Sequence, residues 1–529
     1  MHGKRPLLIA LAVLLIGLLV GRWLGQSAST TDGSASSDES IQRQVVRNQR
    51  VEDSRLPAPK SERGPGAHFR EDSEAIASGA IANQRAITFG SAEALAAFLK
   101  KIEGKGIAVL DRIDALNTLR LSFLNLEDLL AALDGDEDMG FIFPALTPGN
   151  GTVQDGAVGF GDHFLEWLGI SDTSGYGSNI KVAVLDTGVV ITDTFTGKVT
   201  QVDWVDRPTD LSSQNSHGTS VASIILGQLG LSPSAELYDY RIANDEGVSD
   251  TFLIAKAVME AVSSGVDLIN ISLGSRGYSQ VLENAVMAAY QAGILVIAST
   301  GNDGYDSVSY PASSNYVVGV GAVEGRGEVL DFSNTGNVSI TGPGLALSAA
   351  DTSGSSTYFS GTSAAAPTVT GGIAAVMSQF GISAESAWRI LLATANESGA
   401  PGYDSLYGEG TLNVGRALDS QTPGINDVAI ASNYFTTNSA GNSVVQVVVE
   451  NRGTTTLTNV PVSVTTPAGA QDASVSSLIP GEVTVLTFPL GQSQGDVTVS
   501  SSVEISNGVV DENPQDNQRA DTQSTSDSP

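Results

Sequence analysis

The 529-residue sequence predicts an α/β fold built on a parallel sheet with helices on both faces. Residues 160–420 alternate between short apolar runs and helical patterns, which is the order of a parallel sheet with crossover helices. The strand-like runs are almost continuously apolar, as expected of strands that are covered on both faces. A small ferredoxin-like α/β domain is predicted before this core, and a β-sandwich after it.

The composition excludes several classes of protein. Hydrophobic residues make up 41% of the chain, so a large core is possible, and the chain contains no cysteine. Disulfide bonds and thiolate metal sites are therefore excluded. The formal net charge of −31 argues against a nucleic-acid partner, because phosphate binding needs clustered Lys and Arg.

The first 23 residues predict export from the cytoplasm. A basic start precedes an uninterrupted apolar run over residues 7–20, which is the pattern of an export signal. The run is short for a membrane span, which needs about 20 residues. Arg22 and Trp23 directly behind it nevertheless suit an anchor held at the membrane interface. The sequence leaves a cleaved signal peptide and a retained anchor both open.

The next segments predict a linker and a small domain. Residues 24–83 are polar, contain three prolines and predict a flexible linker. Residues 84–146 give the order β-α-β-β-α-β of a ferredoxin-like domain. Its helices are predicted to begin after Ser91 and Asn125, and its strands to lie at 86–89, 107–110, 118–123 and 141–143.

The core and the C-terminal part have distinct patterns. Residues 425–520 are rich in alternating β patterns with turn signals between them, and predict a β-sandwich. The Ser- and Asp-rich tail 521–529 predicts disorder. In the 160–420 region, strands are predicted at 181–185, 237–242, 266–271 and 294–298, and helices from 217, at 251–264 and at 280–292.

Three distant segments carry candidate catalytic groups. Asp186 follows the apolar strand 181–185, His217 begins a segment of small and apolar residues, and Ser363 precedes a small-residue run that ends at Pro367. A serine hydroxyl becomes a nucleophile when an imidazole accepts its proton and a carboxylate orients that imidazole. The chain order Asp, His, Ser is the order found in subtilisin.

These segments resemble the subtilisin-like serine peptidases, the subtilase or S8 family, over roughly residues 165–415. The resemblance implies that Asn302 and the backbone N–H of Ser363 form the oxyanion hole. It also implies a cleft that prefers a large hydrophobic or aromatic residue before the cut. The substrate-binding residues implied by the resemblance are Ser272, Leu273, Gly274, Ser299, Thr300 and Gly301.

Some positions depart from the family pattern. Ser220 stands where a second histidine is common, and Ala364 where methionine is common, but neither position transfers protons. The interval between His217 and Pro233 is too short for the loop that binds calcium in many relatives. No cofactor or metal is therefore predicted, although acidic groups such as Asp303 and Asp306 leave calcium open at an unknown site.

The flanking domains suggest maturation and partners. Residues 84–146 resemble the inhibitory propeptide of subtilases, which implies a cut within residues 147–161. The C-terminal unit resembles the CARDB-type adhesion domain at residues 447–453 and 511–517. The predicted partners are protein or peptide substrates, the chain's own propeptide and a cell-surface ligand.

The sequence thus predicts an exported serine endopeptidase that acts through an acyl-enzyme and is made as a zymogen. It would be secreted or anchored to the cell envelope. The alternative is a cell-surface adhesion protein whose peptidase-like core serves as a scaffold.

Overall fold

The computed structural model describes residues 42–45, 72–195, 199–205, 215–491 and 495–524. The predicted export segment 1–23 and most of the predicted linker lie outside the described residues. Within those ranges, no helix has both the length and the apolar character that crossing a bilayer requires.

The described ranges contain short helices in the N-terminal part and a long helix late in the core. The helices are α1 (Asp72–Ala77), α2 (Ala92–Ile102), α3 (Leu126–Leu130), α4 (Phe164–Trp167), α5 (His217–Leu226), α6 (Thr251–Ser263), α7 (Gln280–Gln291), α8 (Thr362–Phe380), α9 (Ala384–Ala393) and α10 (Val414–Asp419). The strands up to the end of the core are β1 (Gln42–Val45), β2 (Gln84–Thr88), β3 (Ile107–Ile113), β4 (Thr118–Phe123), β5 (Asp138–Gly140), β6 (Pro144–Leu146), β7 (Lys181–Asp186), β8 (Val199–Asp203), β9 (Glu236–Arg241), β10 (Val248–Asp250), β11 (Leu268–Ile271), β12 (Leu295–Ser299), β13 (Val317–Val323), β14 (Ile340–Pro343), β15 (Leu347–Ala350) and β16 (Ser356–Phe359). The C-terminal strands are β17 (Val428–Thr437), β18 (Ser443–Asn451), β19 (Leu457–Thr466), β20 (Gly469–Leu478), β21 (Val483–Pro489), β22 (Val497–Val503) and β23 (Gln518–Gln523).

The core is a seven-stranded sheet in the order β14-β13-β12-β11-β7-β9-β8, and every neighbouring pair is parallel. Successive residues of β7 face opposite sides of the sheet. Val182 and Val184 pack in the cluster that contains α5 and α8, whereas Ala183 and Leu185 pack in the cluster that contains α6 and α7. Helices therefore cover both faces, which confirms the predicted parallel α/β core.

The N-terminal unit contains an antiparallel sheet in the order β3-β4-β2-β5, with α2 and α3 between its strands in the chain. The predicted strand at 141–143 is wrong, because these residues lie between β5 and β6. Phe143 is held instead by bonds to Thr251, its N–H donating to Oγ1 at 3.1 Å and its carbonyl accepting from the N–H at 2.9 Å. The apolar pattern of Ile142 and Phe143 reflects their burial and not a place in the sheet.

The C-terminal unit consists of two four-stranded antiparallel sheets, β1-β21-β18-β17 and β20-β19-β22-β23. The two sheets contact each other, for example where the Ser501 hydroxyl donates to Asn433 Oδ1 at 2.7 Å.

Three boundary predictions need correction. The range 24–83, predicted to be a flexible linker, contains β1, which pairs with β21, and α1, whose Ala75 is buried beside Phe143. The N-terminal unit therefore extends back to α1. The predicted disordered tail begins too early, because Asp521 pairs with Val499 within β23.

Candidate active site

The predicted acid and base lie together at the carboxyl end of the central sheet, where open α/β sheets place their chemistry. Asp186 is the last residue of β7 and is fully buried, and His217 is the first residue of α5. The Nδ1 atom of His217 lies 2.8 Å from Asp186 Oδ1, which also accepts the Thr187 N–H at 2.7 Å. This contact fixes the orientation of the imidazole ring and leaves Nε2 to face outward from the carboxylate.

A glycine allows this close approach. A Cβ atom at Gly218 would lie 2.5 Å from the carbonyl oxygen of Gly188 and 3.2 Å from Asp186 Cβ. Any side chain there would push the start of α5 away from β7. Sequence analysis did not identify this role, although Gly218 directly follows the candidate base.

Ser363 is the second residue of α8 and is almost fully buried. Across the described residues, Ser363 Oγ and His217 Nε2 both lack a hydrogen-bond partner. Two buried polar atoms left open in this way are free to engage a reacting group, and such catalytic contacts often tighten only with substrate present. The His217 ring also meets the edge of Phe359 at a centroid distance of 5.2 Å, a contact that no sequence pattern indicated.

Asn302 is held rigidly beside the serine. Its Oδ1 accepts the backbone N–H of Thr362 at 2.9 Å and the Thr362 hydroxyl at 2.8 Å. Thr362 Oγ1 in turn accepts the Gly301 N–H at 3.1 Å. These bonds to Oδ1 fix the orientation of the carboxamide, and its Nδ2 donates to the carbonyl of Gly149 at 2.8 Å. Thr362 is a positioning residue that sequence analysis missed, although it directly precedes Ser363.

Gly361 belongs to the same arrangement. Its φ angle is 118°, and a Cβ atom there would lie 2.6 Å from Asn302 Nδ2. Both the backbone conformation and the space exclude a larger residue.

The segment that follows the N-terminal sheet lies along the predicted substrate-binding strand. Leu146 and Gly274 exchange two backbone hydrogen bonds, each 2.9 Å long, and the Thr147 N–H donates to the Gly247 carbonyl at 2.9 Å. Strand β6 pairs with β10 on the other side. Residues 144–149 thus occupy a groove as an extended peptide added to strand edges.

The other predicted substrate-binding residues are buried. Ser272 Oγ donates to the Ser363 carbonyl at 3.4 Å, and Leu273 is fully buried. Ser299 and Thr300 are also buried, and Gly301 has a φ angle of 105°. The structure thus brings the two predicted strands together next to Ser363 and Asn302.

A second buried carboxylate, Asp239, lies near Asp186. The pKa of Asp239 is raised to about 7, mainly by burial; hydrogen bonds from Gln201 and Val189 oppose the rise, and the nearby Asp186 adds to it. Gln201 Nε2 donates to Asp239 Oδ2 at 2.9 Å, and the Val189 N–H donates at 3.0 Å. The raised pKa of Asp239 means that burial favours its neutral form beside Asp186.

One of the acidic residues named as calcium candidates, Asp303, lies beside an arginine. Asp303 Oδ1 lies 3.6 Å from Arg276 Nη2. In the described ranges, no three side chains of His, Cys, Asp or Glu converge on a common metal position.

Comparison with known proteins places this chain in a family. A family model described as the Subtilase family matches residues 177–410. Subtilisin DY of Bacillus licheniformis is 33% identical over 250 residues, which cover 45% of this chain and 90% of that protein. The chain belongs to the subtilase family. Subtilisin Savinase of Lederbergia lenta is another similar subtilase, 35% identical over 249 residues that cover 45% of this chain and 90% of that protein.

A solved structure has the same fold. The epidermin leader peptide processing serine protease from Staphylococcus aureus covers 64% of this chain and 98% of its own, with a TM-score of 0.53 and 20% identity. This likeness concerns the fold alone. As a subtilase, the chain is a subtilisin-like serine peptidase, and its substrates are proteins or peptides.

Proposed function

We propose that this subtilase is an exported serine endopeptidase, made as a zymogen, with Asp186, His217 and Ser363 as its catalytic triad. The observation that carries the proposal is the contact between Asn302 Nδ2 and the Gly149 carbonyl, 2.8 Å long, in a segment paired with Gly274. A carbonyl bound to an oriented amide donor next to a buried serine supports the oxyanion role proposed for Asn302.

The chemistry assigns one role to each group. His217 Nε2 takes the proton of Ser363 Oγ as the oxygen attacks the carbonyl carbon, and Asp186 stabilises the resulting imidazolium. Asn302 Nδ2 and the Ser363 N–H receive the oxyanion. His217 then gives its proton to the leaving amine, the C–N bond breaks, and an acyl-enzyme remains. A water molecule hydrolyses the ester by the same steps in reverse order.

The N-terminal unit acts as the inhibitor. It contacts the catalytic unit through β6 and through two ion pairs, Arg120 with Asp250 at 2.7 Å and Lys256 with Asp111 at 2.8 Å. Asp250 also caps α6 by accepting the N–H groups of Phe252 and Leu253, each at 2.9 Å. The inhibitor is thereby tied to a rigid helix next to the groove.

The bond between Gly149 and Asn150 is the proposed maturation site, within the predicted range 147–161. A glycine before the cut fits poorly in a cleft suited to a large apolar side chain. The bond is nevertheless cut in its own chain, because the pairing of Leu146 with Gly274 holds it in place and supplies a high effective concentration.

The test combines a variant with N-terminal sequencing. The wild-type chain is expected to react with a fluorophosphonate probe and to yield a fragment that begins at Asn150. Ser363→Ala is expected to lose labelling and to accumulate as the full-length precursor. Ser360→Ala, a change of the same kind three residues away, is the control and should label and process normally. Processing of Ser363→Ala at the wild-type rate would refute self-cleavage.

Export and the adhesion role are proposed on the sequence. The apolar run at residues 7–20 supports export, and fractionation of native cells tests it by placing the protein inside or outside the cytoplasmic membrane. The CARDB-like resemblance supports a cell-surface ligand for the C-terminal unit. The alternative of a scaffold without activity is not favoured, since the chain belongs to a family of peptidases.

A further inference from the structure

The C-terminal unit has an occupied sheet edge that the peptidase reaction does not explain. Strand β21 pairs with β18 on one side and with β1 on the other. The register on the outer side runs from Gln42 opposite Thr487 to Val45 opposite Thr484. Without β1, this edge would present unpaired N–H and C=O groups, which bind extended chain segments.

The strand is fixed by one side chain as well as by its backbone. Arg43 Nη1 donates to the Ser476 hydroxyl at 3.0 Å, and Nη2 donates to the Ser477 carbonyl at 2.9 Å. Nη2 also lies 3.5 Å from Glu482 Oε1. Ser476 and Ser477 belong to β20, in the other sheet. Arg43 therefore joins both sheets of the unit.

The receptor for Arg43 is a buried and preorganised carboxylate. Glu482 is 5% exposed, and its two oxygens accept the Ile479 N–H at 3.0 Å and the Thr484 hydroxyl at 3.2 Å. A buried carboxylate needs an opposite charge to offset its lost hydration. Arg43 supplies that charge from the strand that occupies the edge.

Charge complementarity favours the chain's own strand β1 as the occupant, because β1 belongs to a basic arm of the sequence, residues 41–70. The arm carries seven Lys or Arg and only three Asp or Glu, in a chain of net charge −31. A basic arm is therefore attracted to the acidic body from a distance, and Arg43 then selects the register on β21.

We propose that the outer edge of β21 is a docking site for strand β1 of this N-terminal arm, with Arg43 as the anchor and Glu482 as its receptor. The N-terminal unit is then held at two places, by β6 in the groove and by β1 on the C-terminal unit. A consequence, which rests on the proposed zymogen, is that the arm retains the cut fragment. Two linked attachments keep a fragment bound far longer than either attachment alone.

The docking itself is tested in the uncut chain. In full-length Ser363→Ala, hydrogen exchange measured by mass spectrometry reports the protection of the β21 amides. Arg43→Glu is expected to speed exchange in residues 483–489 by at least about tenfold, because the edge opens locally. Arg112→Glu, a reversal at an exposed arginine of the N-terminal unit, should leave that exchange unchanged. Equal protection in Arg43→Glu and its parent would overturn the docking site.

A second variant guards against a purely electrostatic effect. Gln44→Pro keeps Arg43 but prevents regular pairing of β1, and it should also speed exchange in 483–489. Unchanged exchange in this variant would also count against strand addition.

The retention is tested after processing. The wild-type chain is allowed to cut itself and is passed through a size-exclusion column in 0.15 M salt. The fragment that carries residues 42–45 is expected to elute with the mature enzyme, and in Arg43→Glu it should elute separately. If the wild-type fragment and the Arg43→Glu fragment elute with the mature enzyme to the same extent, retention by the arm is refuted. A wild-type chain that never cuts itself would instead refute the zymogen, while the exchange experiment still decides the docking site.

Discussion

Replacing Asp427 with asparagine should stabilise the C-terminal unit at alkaline pH but not at acid pH. Asp427 directly precedes β17 and is 8% exposed, and within the described part of the chain its Oδ1 has no hydrogen-bond partner. Its pKa is raised from 3.8 to about 7, mainly by burial and in part by the nearby Asp516, against the opposing effect of Arg452 and Arg416.

The sign and size follow from linkage. In the folded protein the proton is bound more tightly than in the unfolded chain, so the stabilisation is complete below pH 3.8 and is lost as pH rises to about 7. A shift from 3.8 to about 7 at 1.36 kcal/mol per pKa unit corresponds to about 4 kcal/mol. Burial also raises the pKa of Asp516. The two carboxyls share the effect, so about 4 kcal/mol is an upper bound for Asp427 alone.

The assay is urea unfolding of Asp427→Asn and its parent in the Ser363→Ala background, at pH 4 and at pH 8. Exchange in β17 and β18 identifies the transition of the C-terminal unit. The free energy of unfolding of Asp427→Asn relative to its parent should rise by about 2–4 kcal/mol between the two pH values. The exposed Asp472→Asn serves as the control for a generic loss of negative charge. A pH-independent difference, or a variant that becomes relatively less stable at pH 8, would refute a protonated Asp427.

Three further predictions concern catalysis and inhibition. Asn302→Ala should lower kcat by about 10²–10³-fold with little change in KM, a range taken from the corresponding donor of a subtilisin. Steady-state kinetics measures both constants, and a much smaller loss of kcat would contradict an oxyanion role for Asn302. Thr362→Val should lower kcat by about tenfold, because the Asn302 carboxamide loses the hydroxyl that orients it. Thr362→Ser keeps a hydroxyl and should retain the wild-type kcat. A change confined to KM would contradict a positioning role. Arg120→Ala should shorten the lag before activity appears by about tenfold, because the ion pair between Arg120 and Asp250 is mostly buried. Arg112→Ala should leave the lag unchanged. Equal lags in both variants would show that the pair does not hold the inhibitor.

The core was predictable because its elements are strongly patterned. The strand predicted at 181–185 corresponds to β7, and the helices predicted at 251–264 and 280–292 correspond to α6 and α7. Strand β8 was missed because every one of its residues is half-buried, which gives neither an apolar run nor a clean alternation. Strand β1 was missed for another reason: its four residues have little pattern of their own and depend on a partner more than 400 positions away.

The segments that carry the candidate site were recognisable in the sequence, but the residues that support them were not. Asp186, His217 and Asn302 stood out because each lies in a short segment with a resemblance to the family. Phe359 and Asp239 have no such signal, since a ring contact and a buried carboxylate depend on which strands become neighbours. Sequence spacing also did not reveal that the Gly149 carbonyl meets Asn302.

The crowding at Gly361 limits how this peptidase can be modified. A methyl group at that position would already strike the Asn302 carboxamide, and the positive φ angle disfavours every other L-residue. In a saturation library at position 361, most variants are therefore expected to be inactive. The nearby Tyr358 is 67% accessible and therefore has room for other side chains.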